Sequence, residues 1–160
     1  MDFEINMDTV IDIFTELVDR FDEGEPDLNA LNEYELTIYV TQTLEGEVNN
    51  GGFIQFFDNA GGAFADEIVP AFKRIGARKT ASICKKALQA LGQGLPKDWE
   101  ERRALLDRIV DDRVGELLEA CDEAFYEYPD DLEAECGLRA KERKALRFDD
   151  MRIQNAVMAS

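Results

Sequence analysis

Apolar residues recur every three or four positions along nearly the whole chain, and no stretch alternates apolar with polar as a half-buried strand would. Val10, Phe14, Leu17, Val18 and Phe21 fall on one face of a first helix that stops near Gly24 and Pro26. Asn32 and Glu35 form a capping-box pattern, and Leu31 and Leu36 occupy the two positions of a hydrophobic staple, so a second helix starts there. Its stripe is Leu36, Val40, Leu44 and Val48, and Gly51 is placed to end it. A short helical segment carrying Phe53, Phe56 and Phe57 then closes at Asn59, Gly61 and Gly62.

Pro70 is tolerated only in a first helical turn, so the next helix begins near Asp66 or Glu67 and buries Ile68, Phe72 and Ile75 before Gly76. Ile83, Ala87 and Leu91 mark another, ended by Gly92, Gly94 and Pro96. Asp98 and Glu101 repeat the capping pattern ahead of Leu105, Leu106 and Ile109. Val114, Leu117, Leu118, Cys121, Phe125 and Tyr128 predict a long amphipathic helix stopped by Pro129, and Asp130 or Asp131 caps a short helix through Cys136. The sum is an all-α, compact single-domain bundle of about six to eight helices. Residues 1–140 form the acidic helical domain, and residues 141–160 form a basic C-terminal helix or mobile tail.

Charge narrows the partners. A net charge of −17 opposes direct binding to nucleic acid or to an anionic membrane, because neutralising phosphates takes a basic surface. Basic protein partners are attracted instead. No histidine is present, and Cys84, Cys121 and Cys136 contain no C-x-x-C pair, so neither a zinc site nor a Cys–His or Ser–His pair can be assembled. No EF-hand spacing occurs among the acids. The expectation is therefore no catalytic residue, no metal and no cofactor. The acidic start, the absence of a membrane-length apolar run and the unpaired thiols lead us to expect a cytoplasmic protein.

The charge is unevenly distributed. Residues 1–60 hold 15 acids against Arg20 alone, residues 61–110 hold 6 acids against 10 bases, and residues 111–136 hold 11 acids against Arg113. Two helices carry acids in nearly the same series: Asp8, Asp12, Glu16, Asp19 and Glu23, and then Asp112, Glu116, Glu119, Glu123 and Glu127. At about 100° per residue, each series lies opposite its helix's apolar stripe and faces solvent. Like charges one turn apart cost roughly 0.2–0.5 kcal/mol per pair, so the two rows together cost about 2–4 kcal/mol before screening. Solvation alone is one explanation for keeping them. Imitation of a nucleic-acid backbone and adaptation to high salt are the others.

The most sequence-specific stretch runs from Glu45 to Gly61. Glu47 shares a face with Leu36, Val40 and Leu44 and is a candidate buried carboxylate, which needs partners or must neutralise. The structural expectation is that it accepts backbone N–H groups at the start of the Phe53 helix. The alternative is a small ligand or enzymatic site centred on Glu47 with Asn50, Gln55 and Asn59. The pattern E-x-x-N-G-G-F-x-Q-[YF]-F-x-N, at Glu47, Asn50, Gly51, Gly52, Phe53, Gln55, Phe56, Phe57 and Asn59, resembles the signature of the DNA-mimic-protein-like family. The segment from Ala71 to Ala77 also suits it. The resemblance implies an all-α fold and, for the family's namesake, an acidic dimer that occupies the DNA-binding surface of a transcription regulator.

Together these features lead us to expect a protein-binding regulator, not an enzyme, whose ten row acids contact a basic, nucleic-acid-binding protein. A non-mimic interaction or immunity-type module is the alternative. The positive block around Arg74, Arg78, Lys79, Lys85 and Lys86 offers a further use for the acids, pairing with them in a homodimer.

Overall fold

The structure is a computed structural model and describes residues 7–21 and 27–135, with side chains in the first helix from Val10 onward. Among them are six α-helices: α1 (Met7–Arg20), α2 (Glu33–Asp58), α3 (Ile68–Arg74), α4 (Arg78–Leu91), α5 (Trp99–Ile109) and α6 (Asp112–Tyr126). Two 3-10 segments, Leu28–Ala30 and Ala60–Glu67, flank α2. No strand occurs among the described residues.

The helix α2 is the axis of the bundle. Five consecutive residues, Thr37 to Thr41, are buried, so neighbours cover this stretch on every side. Its start is fixed as the sequence predicts: the Asn32 side chain accepts from the Glu35 N–H at 2.8 Å, and Glu35 Oε1 accepts from the Asn32 N–H at 3.2 Å. Glu35 is also bridged to α1, through Arg20 Nη1 at 3.3 Å. An aromatic chain ties the outer helices to this axis. Phe14 of α1 and Phe21 just past its end meet Tyr39, Tyr39 meets Phe64, and contact passes through Phe56, Phe57 and Phe53 to Phe125 of α6, with centroids 5.6–6.2 Å apart. Such pairs are each worth about 0.5–1.5 kcal/mol beyond the area they bury.

Several boundaries follow the sequence. Pro70 lies in the first turn of α3, and Gly76 and Gly92 end α3 and α4 with φ of 84° and 75°. The Asp98 side chain caps α5 through the Glu101 N–H, and Asp131 accepts from the Ala134 N–H as a further helical turn begins. Others do not. Gly51 does not end the second helix. It and Gly52 kink α2, and the Phe53 segment continues beyond the kink to Asp58. The 3-10 stretch before α3 carries no strong spacing signal of its own. Val18, Leu117 and Tyr128, expected on buried stripes, are 41%, 45% and 39% exposed, because α1 and α6 each bury a narrower face than the stripe allows. Cys84 and Cys121 are buried, and burial pushes both thiols above their usual range. Cys136 and the tail from Gly137 lie outside the described residues.

Candidate functional site

The two acid rows occupy separate strips of surface. Asp12, Glu16 and Asp19 on α1 are exposed, as are Asp112, Glu116, Glu119, Glu123 and Glu127 along α6. Glu23 and the side chain of Asp8 lie outside the described residues. Both helices pack on α2 but at different places: α1 at Glu35 and Tyr39, and α6 from Val48 to Phe53. About 14 Å of helix separates Tyr39 from Val48, whose carbonyl accepts the Tyr126 hydroxyl at 2.9 Å. Arg20 offsets part of the α1 row by pairing with Glu16 at 3.3 Å. On α6 no ion pair reaches the row among the described residues.

The mutual repulsion in this region is visible in its neighbours. Asp122, half-buried on α6, is held above the usual carboxylate range by burial, and Glu119 and Glu123 of the row push it further up. Glu45 is raised chiefly by burial, opposed by its hydrogen bond from Tyr128, with the charge of Glu133 adding to the rise. On its other side α6 packs against α4, whose Arg78, Lys79, Lys85 and Lys86 are all exposed. An acidic strip therefore borders a basic helix.

The signature residues do different work. Gly52 adopts φ 82° and Gly51 φ −156°, and a Cβ on Gly52 would collide with the Asp122 carboxylate. That carboxylate accepts the Phe53 N–H at 2.7 Å, so α6 caps the second half of α2 from 69 residues away. This corrects the role expected of Glu47. Glu47 is half-buried, and its Oε2 accepts side-chain amides, Gln55 Nε2 at 2.6 Å and Asn59 Nδ2 at 3.0 Å. Asp122 is short enough to reach the free N–H groups at the kink, whereas Glu47 lies one turn before it and meets the amides of the turns that follow. Asn50 is exposed, and Phe53, Phe56 and Phe57 are wholly buried. Thus Glu47, Gln55 and Asn59 are brought together, and Asn50 is not.

Sequence reasoning missed Arg102. It is 1% exposed, and its guanidinium donates to the carbonyls of Phe57, Asn59 and Lys97 at 2.9 Å each and of Pro96 at 3.2 Å. Phe57 and Asn59 close α2, where a cation also suits the helix dipole, and the Asn59 carbonyl is shared with the Gly62 N–H. A Cβ on Gly62 would strike the Phe57 carbonyl and the Arg102 side chain, so this glycine lets the clamp close. A signal was available: Arg102 lies one turn before Leu106, on the buried stripe of α5. Of the two cap candidates, Asp131 caps the turn that follows and Asp130 does not. Instead its carboxylate accepts both the N–H and the hydroxyl of Thr80, at 2.7 and 3.0 Å, at the start of α4.

Beside the kinked helix lies a cleft of about 650 Å³, walled by Glu47 and Asn59 of the signature, by Phe64 and Asp66, and by Lys97 and Trp99. No helix among the described residues is long and apolar enough to cross a membrane. Comparison with known proteins adds one finding. The family model described as DMP19-like protein matches residues 29–146, which takes in the capping box, the kink, the Arg102 clamp and α6. No curated protein and no solved structure gave a significant match. With most of its length covered by that model, the chain belongs to the DMP19-like protein family.

Proposed function

We propose that this protein is an acidic regulator that presents its carboxylate strips to the basic, nucleic-acid-binding surface of a partner protein, in place of DNA. The observation that carries the reading is the α6 row: five exposed carboxylates one turn apart, with no cation paired to them among the described residues. A row of this kind destabilises its own helix, and a basic partner surface relieves that repulsion on binding. Each row offers a carboxylate about every 4.5–6 Å, sparser than the one phosphate per ~1.7 Å of a duplex, so both strips contribute. Membership of the DMP19-like family supports the same reading. On this reading the chain carries out no catalytic step, needs no metal or cofactor, and acts in the cytoplasm as a transcription regulator.

A homodimer fits the same surface. Two copies related by a twofold axis set the basic α4 of each against the acidic α6 of the other, an isologous contact in which each pairing occurs twice. The shallow groove between these helices is floored by Ile83, Ala120, Cys121 and Ala124, with Leu117 exposed beside it.

Replacing Glu116, Glu119 and Glu123 by Lys tests the proposal. The variant is expected to keep its helical circular dichroism and to lose partner capture. Undiminished affinity for the same partner refutes it.

A further inference from the structure

The cleft beside α2 has the composition of a binding site. Its volume of about 650 Å³ lies within the range of small-ligand sites. Glu47, from the signature, lines it with a preset carboxylate: the amides of Gln55 and Asn59 both bind Oε2, and Oε1 accepts no hydrogen bond among the described residues. Asp27 and Asp66 lie on the same wall system and are exposed. Glu67 also lines it but is paired with Arg74 at 3.5 Å. Against these stand two cations. Lys97 is exposed at the edge, and the Arg102 guanidinium is directed to four backbone carbonyls and so is committed to the fold.

The aromatic wall makes the second half of the argument. Trp99 is 45% exposed, yet it is fixed by its indole N–H, which donates to the Asp58 carbonyl at 3.0 Å. Its ring already attracts a guanidinium: Arg103 lies 5.2 Å from the ring centroid and is not among the cleft residues, so it covers the indole from outside. The buried ring of Phe64 adds an apolar surface. A fixed carboxylate with an open oxygen, next to an indole and an apolar wall, suits one chemical class. The carboxylate takes the charged N–H groups, and the aromatic surfaces take the stem and the cation's face.

We infer that this cleft binds a guanidinium or primary ammonium group carried on an aliphatic stem. The group comes either from a free small molecule or from an arginine or lysine side chain of a bound protein. The site is independent of the acid strips.

The chain contains a single tryptophan, Trp99, so its fluorescence reports the cleft directly. Titrating the full chain with agmatine, N-acetyl-argininamide and the uncharged N-acetyl-norleucinamide tests the inference. A saturable change with at least one cationic probe, and none with the uncharged one, is expected. Tighter saturation by agmatine identifies a free ligand, and tighter saturation by N-acetyl-argininamide identifies a side chain. E47Q keeps an acceptor for Gln55 and Asn59 and should raise the Kd at least about tenfold. If E47Q does not fold, D66N, at an exposed position, should raise it about threefold. The E116K/E119K/E123K variant should respond like the wild type, whatever becomes of partner capture. No saturable change in the wild-type protein, equal responses to charged and uncharged probes, or an unchanged Kd in a folded E47Q overturns the inference.

Discussion

The acid strips and the kink of α2 are built on opposite principles. Along α6 the row residues are exposed and share no ion pair among the described residues, so each can change without disturbing a neighbour's packing. At the kink and at the end of α2 the groups are committed: Gly52 to its φ of 82°, Asp122 to the Phe53 N–H, and beyond the kink Arg102 to four carbonyls and Gly62 to the space beside them. The residues from Glu47 to Asn59 thus serve architecture, whereas the proposed partner would read the surface. A chain carrying the signature without the strips would keep this fold and lose the proposed function.

The sharpest way to break the contrast is at Arg102. Arg102→Ala removes a wholly buried side chain and the donors it gives to the carbonyls of Phe57, Pro96 and Lys97, and a stability loss of about 3–5 kcal/mol is expected, read as a fall in the urea midpoint. Gly52→Ala comes next, at about 2–3 kcal/mol, because it forces a side chain into a positive φ and against Asp122. Losses this large at either position and near zero at the strips would uphold the division.

Asp122 joins the two regions, because it caps the kink from the helix that carries the row. Its folded pKa is raised by burial and by Glu119 and Glu123, so the fold favours its protonated form. Stability from this group is therefore fully present below the ordinary Asp range and is lost as pH rises through the raised folded value. Glu45 acts with the same sign. Thermal stability should rise as pH falls from neutral toward the carboxylate range, and Asp122→Asn, which keeps an acceptor for Phe53, should flatten that rise. Unfolding midpoints across pH for both proteins check it.

Smallest is the strip itself. Glu119→Lys replaces like-charged neighbours with attractive ones at Glu116 and Glu123, and should stabilise the fold by about 0.5–1 kcal/mol. A loss of stability there would mean that the row is part of the architecture after all.

How much of this was legible depended on distance along the chain. The capping box at Asn32, the N-cap at Asp98, the stops at Gly76 and Gly92 and the outward rows follow from groups within a turn or two of each other, and helical periodicity exposes them. The cap from Asp122 to Phe53 and the one from Asp130 to Thr80 span 69 and 50 residues, and no local pattern encodes which carboxylate arrives. The same holds for the cleft, whose walls come from the two 3-10 segments that flank α2, from Glu47 within it and from the start of α5. Glu47 was expected to be a buried carboxylate bound by backbone N–H groups and is instead half-buried against two side-chain amides, because its partners depended on how sharply the Gly51–Gly52 kink turned, which spacing does not give.

The most direct test of the central claim is capture of partners on the tagged full chain at low salt, with elution by rising salt. The account predicts a nucleic-acid-binding protein that leaves at moderate salt and is competed off by duplex DNA. Retention only of partners indifferent to salt and to DNA, or of none, would contradict it, and the acid strips would then serve solvation alone.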